Sequence, residues 1–413
     1  MYKKYILKNG LTIIGEELPY LKSISLGIHV NAGSRIEKEE ISGVSHFIEH
    51  MLFKGTKSRE AKQIASEIDN LGGQINAYTS KESTCYYVHL LDDHIDTGID
   101  LLSDMILNSK FNEEDINKER LVIIEELKMY EDSPEDLVYD LLIEQMYKTD
   151  GLGMNIIGTV ESLKNIDREK MLEYFKTYYV PNNAVISICG NFKFEEIVKK
   201  IENKFGNWEN KSIEIQVDEA EFNSCTIKRE KDIEQVNLAI NLKGVGNEDI
   251  REVYALAIAN NVFGGTISSR LFQKIREEKG LVYSIYSSQT MYRKCGELGI
   301  FASMSNENLE EVYELIKKEI EYIQKNMLTE KEIKDSKEQL KGSYMLGLEG
   351  TSSRMMSIGK EMLFTNQVKS AEEVLKCIDD IDTKEINEII QRVFDLDNIA
   401  ICIVGKDVDK INI

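Results

Sequence analysis

Apolar residues along the chain follow two patterns, short runs typical of strands and longer stretches with the spacing of helices. Residues 23–35 and 236–248 each begin with an apolar run and end in a turn, as a buried strand does. The first residues read as two strands joined at Asn9-Gly10, a dipeptide typical of hairpin turns. Because strands and helices alternate in both halves, the pattern predicts an α+β fold with two α/β sandwich domains, each a mostly antiparallel sheet with packed helices.

The two halves of the chain also resemble each other. The segment YYVPNNAVISICGN at 178–191 is similar to VFDLDNIAICIVGK at 393–406, with an offset of 215 residues. A chain of 413 residues is too long for one ordinary domain, so the repeat indicates a duplication. We expect an N-terminal catalytic domain at 1–205, a polar linker at 206–225 and a homologous C-terminal domain at 226–413.

One helical pattern combines an apolar stripe with a face of reactive side chains. In residues 42–53 the apolar positions recur at the spacing of an amphipathic helix, and His46, Glu49 and His50 fall on the opposite side. The two histidines are one turn apart, so both imidazoles can bind one metal ion while Glu49 holds a water. An ordinary exposed polar face is the alternative, but paired histidines with a carboxylate beside them favour a metal.

A third metal ligand must lie elsewhere, because a catalytic zinc commonly has three protein ligands and an open fourth position. Residues 112–136 also have helical spacing, and Glu119 and Glu126 share one face of that helix, seven residues apart. Spacing alone does not distinguish Glu126 from Glu125, and acidic residues on exposed helix faces are common without a metal.

These motifs resemble those of the metallopeptidases with an inverted zinc motif, His-x-x-Glu-His, which include mitochondrial processing peptidase, insulin-degrading enzyme and pitrilysin. The stretch GVSHFIEHMLFKGT is similar to the processing-peptidase branch. The resemblance implies that His46, His50 and Glu126 bind one Zn2+ per chain. It also implies that Glu49 is the general base and that Glu119 is a supporting acid behind the ligands.

The second half carries other motifs of that family. At the 215-residue offset the metal motif meets Asn261, Gly264 and Gly265, so the second half lacks the metal ligands. The resemblance implies that the short turn at Gly264 and Gly265 binds substrate. It also implies that Arg276 and Tyr283 contact the peptide backbone and the developing oxyanion. Without the family motif, Arg276 fits an exposed charge and Tyr283 a core residue of a strand.

The segment GGQINAYTS matches the strand along which the family binds its substrate. The resemblance implies that Asn76, Ala77 and Tyr78 pair with an extended peptide as an added strand. A peptide bound through its backbone must be unfolded, because a folded domain offers no free strand. The expected substrates are therefore unfolded peptides or presequence-like segments.

The family places its Arg/Tyr element on the half of the molecule, or on the subunit, opposite the zinc. The expected assembly is therefore a homodimer in which Arg276 and Tyr283 complete the zinc site of the other subunit. Two alternatives stay open. The chain could be a catalytically silent homologue that acts as a subunit, or a zinc-dependent module that binds peptides without cleaving them.

Composition narrows the class of protein further. A net charge of −21 argues against nucleic acid as a partner and is compatible with cationic peptides. No apolar run approaches the length of a membrane span, and the N-terminus lacks the apolar core of a signal peptide. Most of the six cysteines lie in strand-like apolar runs without a C-x-x-C pair, so we expect reduced core residues in a cytoplasmic protein. The three Pro and the many Ile, Lys, Asn and Glu residues indicate a bacterial source.

Overall fold

A computed structural model describes residues 2–410 as alternating strands and helices. In chain order the strands are β1 (Tyr2–Ile6), β2 (Thr12–Glu17), β3 (Ser23–Val30), β4 (Gln74–Thr79), β5 (Thr84–Leu91), β6 (Ala184–Gly190), β7 (Cys225–Glu230), β8 (Gln235–Lys243), β9 (Val282–Tyr292), β10 (Cys295–Ser305) and β11 (Ile399–Gly405). The α-helices are α1 (Val44–Leu52), α2 (Ala61–Asp69), α3 (Ile95–Asn108), α4 (Glu113–Asp132), α5 (Pro134–Met146), α6 (Val160–Asn165), α7 (Arg168–Tyr178), α8 (Phe194–Phe205), α9 (Ile250–Asn260), α10 (Leu309–Asn326), α11 (Glu330–Gly347), α12 (Thr351–Thr365), α13 (Ala371–Asp380) and α14 (Thr383–Val393). Two π-helical segments, Asn261–Gly265 and Phe272–Glu278, lie between α9 and β9.

The chain divides into two compact units, and each is discontinuous in sequence. Unit 1 consists of Met1–Leu127, Met154–Ile215 and Leu346–Ser370. Unit 2 consists of Lys128–Gly153, Gln216–Met345 and Ala371–Ile413.

The sheet of unit 1 has six strands in the order β1-β2-β6-β3-β5-β4. All neighbouring pairs are antiparallel except β2 with β6, so the predicted mostly antiparallel sheet is confirmed. The predicted hairpin is confirmed between β1 and β2, and its Gly10 has a positive φ of 93° that favours glycine. At the far edge, β4 pairs with β5 alone among the described strands.

Both faces of this sheet are covered. Ile186 and Ile188 face the main apolar core, which α1, α3, α7 and α8 share, whereas Val185 and Cys189 pack against apolar residues of α12. Successive strand residues point to opposite faces, so α12 lies on the face opposite the main core. The helix approaches closely at Gly359, where a Cβ atom would stand 2.1 Å from Nε2 of His29.

The sheet of unit 2 has five strands in the order β7-β11-β8-β10-β9, and only β7 with β11 is parallel. This order repeats that of β2, β6, β3, β5 and β4. The repeat noticed in the sequence corresponds to strands of matching place, since β6 and β11 begin at Ala184 and Ile399, 215 residues apart. The prediction of two duplicated α/β domains is therefore confirmed.

The units differ from the contiguous domains expected at 1–205 and 226–413. Helix α5 belongs to unit 2, where it packs on β8 and β11, and α12 belongs to unit 1. Each half of the sequence thus contributes one helix to the unit built mainly from the other half. The change of unit after Ile215 does fall inside the expected linker at 206–225.

Two expectations from composition concern the whole chain. Among the predicted core cysteines, Cys85, Cys189, Cys295 and Cys402 are buried. Within residues 2–410, no helix has the length and apolar character needed to cross a membrane.

Candidate metal centre and active site

Helix α1 presents the two histidines of the motif to one point. Its apolar side, including Phe47 and Ile48, is fully buried in the core of unit 1, which fixes the rotation of the helix. His46 and His50 are then one turn apart on the other side, and their Nε2 atoms stand 3.2 Å apart. The structure therefore brings the two imidazoles together as the spacing predicted.

Helix α4 supplies a carboxylate to the same point. Oε1 of Glu126 lies 3.8 Å from Nε2 of His46, and Oε2 lies 3.5 Å from Nε2 of His50. Glu125, which spacing had left as an equal candidate, is exposed. Among the described residues, His46, His50 and Glu126 form the group whose ligand atoms could share a metal, all within 4.8 Å of one another.

The other ring nitrogen of His50, Nδ1, contacts the carboxylate of Glu119. This nitrogen lies 2.9 Å from Oε1 of Glu119, and Nζ of Lys54 lies 2.6 Å from the other oxygen of that carboxylate. Burial alone would raise the pKa of Glu119, but the hydrogen bonds from His50 and Lys54 bring it below its usual value. An ionised Glu119 accepts the proton of Nδ1–H, so Nε2 of His50 keeps its lone pair for a metal.

These residues fit a zinc ion. Imidazole nitrogens bind zinc at about 2.0–2.1 Å, so two of them at a tetrahedral angle stand about 3.3 Å apart. The 3.2 Å between the Nε2 atoms of His46 and His50 matches that separation. Burial, with a smaller effect of His50, lowers the pKa of His46 to about 3, so this ring is neutral, as a metal ligand must be. Its buried Nδ1 has no hydrogen-bond partner among the described residues.

Glu49 lies on the same helix and is tied to the edge strand. Thr79, the last residue of β4, donates its hydroxyl proton to Oε2 of Glu49 over 2.5 Å. Burial raises the pKa of Glu49, and the hydrogen bond from Thr79 opposes that rise. A half-buried carboxylate beside two histidines can accept a proton from a water bound at the site.

The residues predicted to bind substrate in the first half lie on the open edge of the sheet. Asn76, Ala77 and Tyr78 belong to β4, and the main-chain N–H of Ala77 donates to Oδ1 of Asn76 over 2.8 Å. That N–H is therefore bonded to the exposed side chain of the preceding residue in its own strand.

The residues predicted in the second half belong to unit 2. Arg276 is exposed on the second π-helical segment, with its guanidinium 4.7 Å from the ring centre of Phe272. Tyr283 is 73% exposed on β9, which excludes the alternative that it is a core residue. Gly264 is buried, and a Cβ atom there would stand 2.4 Å from Oγ of Ser287. Close packing against Ser287 therefore accounts for a glycine at position 264, because a larger residue would not fit there. The role of Gly264 and Gly265 in substrate binding stays a prediction.

Two side chains of the site were not singled out from the sequence. Thr79 lies two residues after the Asn-Ala pair, and Lys54 follows the metal helix directly. Both lie in segments that match the family, but the sequence did not connect them with their partners, because Glu49 and Glu119 are distant in sequence from Thr79 and Lys54.

Comparisons with known proteins identify the family. Residues 12–160 match the model of insulinase, peptidase family M16, and residues 165–340 match the M16 inactive domain. A Bacillus subtilis protein, "Uncharacterized zinc protease YmxG", is 40% identical over 396 residues, covering 95% of this chain and 96% of the relative. This chain belongs to peptidase family M16. The metal group lies in the part that matches the insulinase model, apart from the part that matches the inactive domain.

Another relative of this M16 chain and a solved structure support the same assignment. A Rickettsia felis protein, also named an uncharacterized zinc protease, is 35% identical over 390 residues and covers 94% of each chain. The crystal structure of a protease from Helicobacter pylori has a TM-score of 0.91 at 20% identity, covering 98% of this chain and 99% of that one. The fold is thus that of M16 proteins, and homologues named zinc proteases span nearly the whole chain.

Proposed function

We propose that this M16 chain is a zinc-dependent endopeptidase that cleaves short unfolded peptides or presequence-like segments. The observation that carries the proposal is the meeting of His46, His50 and Glu126 beside Glu49. Three ligand residues leave a fourth position for water, and the carboxylate of Glu49 belongs to the same helix as both histidines. One zinc ion per chain fits this group, the one that residues 2–410 contain.

Each protein residue of the site has its own role in the proposed hydrolysis. Bound zinc would supply Lewis acidity to an attacking water and to the scissile carbonyl. Glu49 takes the proton of the water and delivers it to the leaving amine. Thr79 holds Oε2 of Glu49, so the other oxygen is available for that proton. Glu119 keeps the Nδ1 proton on His50 and thereby fixes the orientation of the ring.

The substrate in this proposal lies along β4. A peptide added to this edge pairs its backbone with residues near Asn76 and Ala77. Thr79 ends the same strand and touches Glu49, so an added strand runs toward the carboxylate that moves the proton. Recognition through the backbone allows many side-chain sequences but requires an unfolded chain.

The proposed location is the bacterial cytoplasm.

The proposal extends to a homodimer in which Arg276 and Tyr283 of one chain complete the zinc site of the other. Both side chains are exposed on unit 2, and the resemblance described above pairs such residues with a zinc site on another half or subunit. The test mixes a Glu49→Gln chain with an Arg276→Ala chain. Recovered peptide cleavage supports completion in trans, and a mixture that stays inactive contradicts it.

The central test combines a zinc assay with hydrolysis of a fluorogenic peptide. We expect stoichiometric zinc, cleavage that a chelator abolishes, and a Glu49→Gln variant that keeps its zinc but loses cleavage. Cleavage retained by Glu49→Gln contradicts the general-base role. Zinc without cleavage in the unsubstituted chain, under any peptide tried, favours the alternative of a silent subunit or peptide-binding protein.

A further inference from the structure

The metal helix begins without a capping side chain of its own. The residue before its first turn is Gly43, in the left-handed region with φ of 91°. The carboxylate of Glu37 takes the place of the cap, since Oε2 accepts the N–H of Gly43 over 2.6 Å and Oε1 accepts the N–H of Ser45 over 2.8 Å. Both oxygens of one side chain thus satisfy N–H groups that a helix start leaves unpaired.

This cap is buried, and neighbouring residues pack closely against it. Glu37 is 7% exposed. The hydroxyl of Ser45 lies 2.8 Å from that of Tyr174. A Cβ atom on Gly43 would stand 2.2 Å from the carbonyl oxygen of Ile157. Ser45, which Glu37 caps, directly precedes His46, the first of the three ligand residues.

The same segment is also bound to the turn that follows the edge strand. The N–H of Arg35 donates to the carbonyl oxygen of Lys81 over 2.7 Å, and Nη1 of Arg35 lies 3.0 Å from Oε1 of Glu82. That turn follows Thr79, which holds Glu49. Residues 35–37 therefore connect the start of α1 to the end of β4.

We propose that Glu37 is a positioning residue for the metal centre, fixing the start of α1 so that His46, His50 and Glu49 stand in register with β4. This inference rests on the zinc binding of the proposed function and not on its cleavage step. Glu37 touches neither metal nor substrate in this proposal. Its effect passes through the main chain of Gly43 and Ser45.

The test measures zinc affinity by competition with a chromogenic chelator in the full chain. Glu37→Gln keeps the size of the side chain but turns an amide NH2 toward one of the two N–H donors. We expect zinc binding to weaken about tenfold, the scale of a lost helix cap or of a residue behind a metal ligand. Glu16→Gln is the matched control, because Glu16 is an equally buried carboxylate of unit 1 that pairs with Arg354.

Stability and metal binding are separated by comparing the two variants well below their unfolding temperatures. Weaker zinc binding in Glu37→Gln but not in Glu16→Gln supports the inference. Unchanged affinity in Glu37→Gln, or an equal loss in both, overturns it. If Glu37→Gln does not fold, Glu37→Asp replaces it, with a smaller loss expected because both acceptor oxygens remain. An unsubstituted chain that binds zinc without cleaving peptides would contradict the proposed function and leave this inference standing.

Discussion

The hydroxyl of Thr79 donates to the carboxylate of Glu49, and this contact joins the edge strand β4 to the metal helix α1. The two residues are 30 positions apart, and both belong to unit 1. One hydrogen bond therefore sets the orientation of the proposed base relative to the strand that would hold the substrate.

Replacing Thr79 by Val tests that contact, because Val has the same shape but no hydroxyl. We expect kcat for peptide cleavage to fall by about tenfold to a hundredfold, since a misoriented base loses much of its effect. Zinc content should not change, as Thr79 touches none of the three ligands. Thr79→Ser keeps the hydroxyl and should stay close to the unsubstituted chain. A Val variant with full kcat would show that the hydrogen bond is unimportant for cleavage.

A second prediction concerns the support behind His50. Glu119→Gln replaces the acceptor of the Nδ1 proton with a weaker one and leaves Lys54 without its anionic partner. We expect zinc affinity to fall by about 10–100-fold, measured by chelator competition. Glu125→Gln is the control, since Glu125 lies on the same helix but is exposed. Equal affinities of the two variants would contradict a role for Glu119.

The local features of this structure could be predicted because their signals are local. The hairpin at Asn9-Gly10 and the helix at Val44–Leu52 follow from residues that touch within a few positions. The exchange of α5 and α12 between units could not be predicted in this way. The spacing of apolar residues shows which face of a helix is buried, but it does not show against which sheet.

The same limit applies to the site. The spacing of His46 and His50 sufficed to bring their rings together. Glu125 and Glu126 point in directions about 100° apart around the helix. Which of the two faces the histidines depends on the rotation of the helix, and the sequence spacing does not determine that rotation. The rotation of α4 is fixed by tertiary contacts, among them the buried Glu119 beside His50, and these place Glu126 toward the histidines.

A third prediction follows from the histidine beneath α12. Burial lowers the pKa of His29 to about 3, and its Nε2 lies 2.8 Å from Oγ of Ser187. An unfolded chain binds a proton here below about pH 6.5, whereas the folded chain does not until about pH 3. The free energy of unfolding therefore rises with pH between about pH 3 and pH 6.5 and falls as the pH is lowered. At pH 5 it is about 2 kcal/mol lower than at neutral pH.

The measurement compares the unsubstituted chain with His29→Gln at pH 7 and pH 5, using hydrogen exchange of β3 to report the stability of unit 1. Glutamine can keep a hydrogen bond to Ser187 but does not titrate. We expect the unsubstituted chain to lose about 2 kcal/mol more than the variant between the two pH values. Parallel losses in the two proteins would show that His29 is not kept neutral by the fold.

The last prediction tests how tightly the exchanged helix lies on its sheet. A Cβ atom at Gly359 of α12 would stand 2.1 Å from Nε2 of His29 and 2.6 Å from Oγ of Ser187, both buried side chains. Gly359→Ala should therefore destabilise unit 1 by about 1–3 kcal/mol, seen as faster hydrogen exchange in β3 and β6. Gly342→Ala in α11 makes the same change where nothing lies within 4 Å, and it should stabilise its helix by about 0.5–1 kcal/mol. If Gly359→Ala were as harmless as Gly342→Ala, α12 would not lie as close to His29 as the structure shows.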